Sequence, residues 1–257
     1  MAEKIKEVAE KAIGTSGAGL KDVWVELLDA IKEAEVSDYI KVLKESPDLL
    51  LKGIPKVGEG MGVLDPKDTT PPIIDSVPVI LDKVKKYGIE KFVSEVPEIA
   101  DKFPDLIESM DEMVKGIDAE KWTEYGKEFK DLVIGLFPVI NEGLPAVRRA
   151  NKDVDDVFNK VKSAKVTMGM NLTEMGWGFK AKFDGGNMAL EEGLEGTDLT
   201  LLLPSASQLE MIDVAMTGNM SAAMKAFTTG KIKIKGAMMR GAGLMPLFSA
   251  MGKLTKK

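Results

Sequence analysis

Lys165-Val-Thr-Met-Gly-Met-Asn-Leu172 and Trp177-Gly-Phe-Lys-Ala-Lys-Phe183 decide the fold of this chain. In the first stretch Val166, Met168, Met170 and Leu172 alternate with Lys165, Thr167, Gly169 and Asn171. In the second Trp177, Phe179, Ala181 and Phe183 alternate, and Met175 extends the pattern backwards. A period of two puts each apolar set on one face of a half-buried strand. Asp184-Gly-Gly-Asn187 then supplies a hairpin turn. Two further short strands follow over 187–191 and 197–203, with Glu192-Gly-Leu-Glu-Gly196 as their loop, and Lys231-Ile-Lys-Ile-Lys235 makes a fifth. Around them the period is helical: 151–163, a helix from Ser205 whose spacing to Gln208 is that of a capping box, 220–227, and an apolar run over 238–251. Helix, four strands, two helices, strand and helix predict an α+β domain with one five-stranded antiparallel sheet covered by helices on one face. The boundary is placed at 148, because the helix before the first strand can cover the sheet.

Residues 1–147 read as an all-helical unit. A short charged helix over 3–12 precedes a glycine-rich link, and Val23, Trp24, Leu27, Leu28 and Ile31 then follow a three-four spacing with one buried face. The segment 53–72 holds Gly53, Pro55, Gly58, Gly60, Gly62, Pro66, Pro71 and Pro72, and is expected to be a loop. Beyond it Pro97 and Pro104, and again Pro138 and Pro145, stand seven residues apart. Such pairs mark either kinks in a long helix or the first positions of short helices laid end to end. The plain expectation is a helical bundle; a lid, a dimerisation arm or a docking module for a protein partner is the functional one.

Composition removes several chemistries. The chain has 257 residues and contains neither cysteine nor histidine. Disulfides, thiol catalysis, imidazole metal sites and Ser-His-Asp or Cys-His pairs are therefore excluded. A net charge of -6 and a pI near 5.1 argue against a nucleic-acid binder. No leader-like pattern or membrane-length apolar run is present, which predicts a cytoplasmic protein. The carboxylates show no paired spacing for acid/base work, and no catalytic residue, cofactor or metal is expected. The glycines of Gly236-Ala-Met-Met-Arg-Gly-Ala-Gly243 lack phosphate-loop spacing and read as a flexible attachment for the last helix.

What remains is grease. Met211, Met216, Met220, Met224, Met238, Met239, Met245 and Met251, with Trp177, Phe179, Phe183, Phe227, Leu244 and Phe248, exceed what a small helix-on-sheet core draws from these types. Either they are an adaptable core or they line an apolar pocket. Ile232 and Ile234 point one way from the fifth strand while Lys231, Lys233 and Lys235 point the other. No acidic residue occurs over 226–257, where Arg240, Lys253, Lys256 and Lys257 join those lysines. That end should attract anions, with the strand lysines facing an anionic membrane and Arg240 a ligand head group.

Thr197-Asp-Leu-Thr-Leu-Leu-Leu203, the Thr217-Gly-Asn219 turn and above all Ala226-Phe-Thr-Thr-Gly-Lys-Ile-Lys-Ile-Lys-Gly236 resemble the sterol carrier protein 2 family over about 150–257. The resemblance implies a five-stranded antiparallel sheet packed with helices around an apolar tunnel. It implies non-catalytic binding and transfer of a long-chain lipid: fatty acid, sterol, isoprenoid or acyl-CoA. Phe227, Ile232, Ile234, Met238, Met239 and the stretch from Leu244 through Met245 to Phe248 would line or shut that tunnel. The chain ends Thr255-Lys-Lys where eukaryotic members carry a peroxisomal Ser-Lys-Leu, so no such address is expected. The resemblance leaves the helical half unexplained, and the alternative is an interaction or scaffold protein with a filled sheet domain. An Asp- or Lys-based enzyme is the third and least favoured class.

Overall fold

The structure, a computed structural model, describes residues 1–217 and 219–254, with the side chains at 119, 215–217, 220, 223, 238, 251, 252 and 254 outside the described set. The chain divides into two compact units, Met1–Ala150 and Asn151–Lys257. The first is all-helical and the second is an α+β unit with a five-stranded sheet, as the two periodicities predict.

In the first unit α1 (Ala2–Gly14), α2 (Leu20–Glu33), α3 (Val36–Glu45), α4 (Pro47–Val63) and α5 (Pro66–Tyr87) are followed by α6 (Ile89–Glu95), α7 (Pro97–Asp101), α8 (Phe103–Lys115), α9 (Ala119–Glu128) and α10 (Lys130–Ala150). The three-four spacing of α2 becomes its buried face. Trp24 packs with Leu20, Met61, Leu64, Ile117 and Tyr125, and Leu27 and Ile31 pack with Ala30, Ala34, Tyr39, Ile40 and Val96. The carbonyls that helix geometry orphans at the end of α2 accept hydrogen bonds from the Tyr39 hydroxyl (2.6 Å, Ile31) and from Lys83 Nζ (2.7 Å, Lys32; 2.6 Å, Ala34).

The segment 53–72 is not the expected loop; it lies largely within α4 and the first turns of α5. Its glycines serve close helix packing rather than breakage. Gly58 and Gly62 stand one turn apart on α4, and a Cβ built on them would lie 2.0 Å from the Met113 carbonyl oxygen and 2.2 Å from that of Gly116. Only residues without a side chain let α4 and α8 approach so closely. Gly60 likewise makes room for the Trp24 ring, 2.2 Å from a hypothetical Cβ. Pro66 opens α5 where its missing N–H costs nothing, after Asp65, whose carboxylate accepts from Lys67 N–H at 2.9 Å. Of the two proline pairs, Pro97 and Pro104 sit at the starts of α7 and α8, whereas Pro138 and Pro145 lie inside α10. The first pair thus opens short helices laid end to end, and the second lies within one long helix.

The second unit opens with α11 (Lys152–Asn159), capped by Asn151 through a 3.2 Å bond from Val154 N–H. Then come β1 (Lys165–Leu172), β2 (Trp177–Asp184), β3 (Asn187–Glu192), β4 (Leu199–Leu203), α12 (Ser205–Thr217), α13 (Met220–Thr228), β5 (Lys233–Gly236), α14 (Met238–Gly241) and α15 (Met245–Leu254). The sheet order is β3-β2-β1-β4-β5. Three pairs are antiparallel, but β1 and β4, expected to be antiparallel too, run parallel.

The connection between β3 and β4 makes the parallel pair possible. Residues 193–198 carry the chain over β2 and β1 to the far side of the sheet, three strand spacings or about 14 Å away. Because β3 and β1 both run opposite to β2, a β4 parallel to β1 also requires the segment to step back along the sheet, from the level of Gly178, which Gly193 N–H meets, to that of Thr167, which Asp198 N–H meets, a diagonal that takes nearly all of its reach of about 20 Å. It lies flat on the sheet because two strand positions beneath it are glycines. A Cβ on Gly178 would lie 3.0 Å from the Leu194 side chain, and one on Gly169 2.9 Å from Thr197. Polar contacts hold this strap: Gly193 N–H to Gly178 O (3.0 Å), Lys180 Nζ to Glu195 O (2.9 Å) and Thr197 Oγ1 to Thr200 Oγ1 (2.9 Å).

The expected Ser205–Gln208 capping box does not form. Glu174, in the β1–β2 turn, accepts from Ser205 N–H at 2.7 Å, and Gln208 Nε2 donates to Leu203 O at 2.8 Å. A carboxylate from a neighbouring strand end is the stronger acceptor for that first turn.

Two glycines of one helix make the packing account testable. Gly53, with nothing within 4 Å of a hypothetical Cβ, should gain about 1 kcal/mol as Gly53→Ala from helix propensity. Gly58→Ala should lose about 3 kcal/mol, because the atom it meets is backbone. Urea unfolding of both variants checks this, and a neutral Gly58→Ala contradicts it.

Candidate functional site

Strand register builds one continuous apolar surface. Val166, Met168, Met170 and Leu172 of β1 pair with Phe183, Ala181, Phe179 and Trp177 of β2. On one side of these lie Met188 and Leu190 of β3, opposite Phe183 and Ala181; on the other lie Leu199, Leu201 and Leu203 of β4, and Ile234 of β5 opposite Leu201. All share one face, since paired residues project to the same side. The opposite face carries Thr167, Lys180, Lys182, Glu191, Thr200, Lys233 and Lys235, and across it runs the 193–198 strap. One side of the sheet is thus closed by its own crossover, and the apolar side is left to the helices.

The apolar face is covered unevenly. Val166, Leu172, Phe183, Leu199, Leu201 and Leu203 are buried, while Met170, Trp177, Phe179, Met188, Leu190 and Ile234 are only half-buried. Trp177 and Phe179 lie 6.1 Å apart, ring centre to ring centre. Gly241 of α14 sits against the Leu199 side chain, so that end of the face is roofed by the C-terminal helices. α12 carries apolar side chains around much of its circumference, at Leu209, Met211, Ile212 and Val214, of which only Val214 is fully buried.

The residues expected at the site fall into four groups. Phe183, Ile232 and Leu244 are buried. Trp177, Phe179, Met211, Phe227, Ile234 and Phe248 are half-buried. Met224, Met239 and Met245 are exposed, Met239 to 85 %. The side chains of Met216, Met220 and Met238 lie outside the described residues, as do Lys256 and Lys257. Register brings Trp177, Phe179, Phe183 and Ile234 onto one face, and adds Met170, Met188 and Leu190, which the sequence reading did not single out as site residues. The alternation of β1 and β3 was the signal for them.

Electrostatics give Arg240 a partner within the fold. Arg240 forms an ion pair with Asp198, the last residue of the strap. The same carboxylate accepts from Thr167 N–H at 2.8 Å, and Asp198 also donates its backbone N–H to Thr167 O and accepts from Ala237 N–H at 2.9 Å. One residue thus ties β1, the start of β4 and the entry to α14. The Thr167 N–H, with Arg240 beside it, holds the Asp198 carboxyl below its ordinary range despite some desolvation. Lys231 is paired with Glu210 at 3.1 Å.

Among the described residues no group of three or more carboxylates is placed to hold a metal ion, and no helix is long and apolar enough to cross a membrane. The helical unit has a separate open cleft of about 440 Å³ between α1, α4 and α8, lined by Ile13, Leu51 and Pro55 and by the polar Lys52, Asp105, Glu108 and Glu112. Its acidic row is the solvated side of α8.

No family model matches the sequence, and no curated protein is similar to it. A solved structure described as a "UbiJ-SCP2 Ubiquinone synthesis protein" is similar over 50 % of this chain and 96 % of its own length, at 12 % identity and a TM-score of 0.32. At that identity and score the likeness carries no argument about ligands or residue roles.

Asp198→Asn tests the tie between strap, sheet and α14. A carboxyl whose pKa is depressed on folding stabilises the fold above its unfolded pKa of about 3.9 and loses that contribution as pH falls through the folded value. Asp198→Asn should therefore cost about 1–2 kcal/mol at neutral pH, with the deficit shrinking steadily below about pH 4 in urea titrations. A deficit that stays constant down to pH 2 contradicts the assignment.

Proposed function

We propose that the sheet unit binds a long-chain apolar lipid non-catalytically and passes it to or from a membrane. The observation that carries this is the sheet face itself, apolar at successive inward positions yet incompletely buried at Met170, Trp177, Phe179, Met188, Leu190 and Ile234. A filled core would bury these side chains; a contiguous apolar surface of this kind marks a binding site. Methionine and aromatic side chains suit a ligand of variable shape. A chain of sixteen carbons is worth about 0.8 kcal/mol per buried CH₂ before ordering costs, so micromolar affinity needs no polar contact. Fatty acids, sterols, isoprenoid lipids and acyl-CoA are the candidate classes.

The exposed Met224, Met239 and Met245 and the exposed Lys233, Lys235 and Lys253 belong to a C-terminal region rich in base, and they support docking on an anionic bilayer.

One experiment with two arms tests the proposal. The delipidated full chain is incubated with phosphatidylserine vesicles carrying trace labelled cholesterol and palmitate, then separated from them. The chain is expected to leave with label in about micromolar-affinity complexes, and its vesicle co-sedimentation to fall with salt. No label on the chain contradicts lipid binding, and salt-insensitive or absent co-sedimentation contradicts the docking.

A further inference from the structure

We infer that the apolar sheet face selects lipids with an uncharged head, long-chain or polycyclic alcohols and their esters, over fatty-acid carboxylates and the phosphate-bearing acyl-CoA. The inference deepens the lipid-binding proposal and rests on it.

It follows from where the described cations of the strands and of the C-terminal helices point. Lys233 and Lys235 flank Ile234 in a strand, so they project to the strap side, away from the apolar face. Lys180 and Lys182 are on that same side, both in ion pairs with Glu191, at 3.6 and 2.5 Å. Lys165 is there too, 3.4 Å from Asp184. Arg240 and Lys231, next to the C-terminal helices, are engaged by Asp198 and Glu210. Lys225 shares the exposed side of α13 with Ser221 and Thr228, one turn before and after it, while Ala226 is buried. Lys253 lies one turn beyond exposed Ser249 on the outward side of α15, whose inward side holds buried Leu247.

Among the described residues of the strands, the charged side chain that register places on the apolar side is an acid. Glu192 pairs with Phe179 in register and ends the row Glu192, Phe179, Met170, Leu201, Ile234 across the sheet. A carboxylate head laid along that row meets a like charge at one end and apolar side chains elsewhere. Desolvating a charge without a counter-charge is costly, whereas a hydroxyl or ester loses far less and can turn to the rim.

The test uses the delipidated full chain and two labelled probes of equal length, 1-hexadecanol and palmitate, at about pH 8 where palmitate is ionised. Hexadecanol is expected to bind about tenfold more tightly or better. Palmitate binding as tight as or tighter than hexadecanol overturns the inference and leaves lipid binding standing, whereas binding of neither probe removes lipid binding itself. Glu192→Lys, which puts a cation at the end of the row, is expected to shift the palmitate-to-hexadecanol affinity ratio toward palmitate by about fivefold or more. The hexadecanol titration of the same variant reports whether the face is still formed, and an unchanged ratio with hexadecanol binding retained overturns the role of that rim.

Discussion

The return of the chain from β3 to β4 through residues 193–198 is the constraint on which the sheet unit depends. β3 and β1 both run opposite to β2, so a β4 parallel to β1 requires these residues to cross three strand spacings and step back from the level of Gly178 to that of Thr167 in one extended diagonal. The strap must also lie on one face, and it lies on the face where Gly169 and Gly178 leave room. That choice commits the other face to the apolar side chains of four strands and, at β5, to Ile234. The parallel pair, the sidedness of the lysines and the apolar surface all meet in this one diagonal connection.

Asp198 then converts the end of the strap into a joint. Its backbone and carboxylate meet Thr167, Ala237 and Arg240, so the strap, the central strand and the entry to the last helices are held by one residue. Engaging Arg240 here has a chemical effect as well as a mechanical one. A guanidinium beside a carboxylate has less attraction left for a second anion.

Much of this was legible in the residues, and the failures share a cause. One-sided burial enforces a period of two, so β1 and β2 announce themselves through Val166 to Leu172 and Trp177 to Phe183. Direction is not written in that pattern, because the same alternation serves a parallel or an antiparallel neighbour; hence the misjudged β1–β4 pair. Gly58 and Gly62 look like breakers until the Met113 and Gly116 carbonyls that press against them are known. Arg240 was visible as a cation, but its partner lies forty-two positions away in sequence. Met239, placed by its type among pocket-lining residues, stands 85 % exposed, since residue type alone does not reveal which side of a short helix turns outward.

Methionine methyl NMR reports on the central claim most directly, because each unit carries its own methionines. The account assigns ligand to the sheet face bearing Met170 and Met188 and not to the helical unit bearing Met61, Met110 and Met113. Titration of the ¹³C-methyl-labelled full chain with 1-hexadecanol is predicted to shift the Met170 and Met188 resonances saturably while the three helical-unit resonances stay in place. Saturable shifts confined to Met61, Met110 and Met113 would contradict the account.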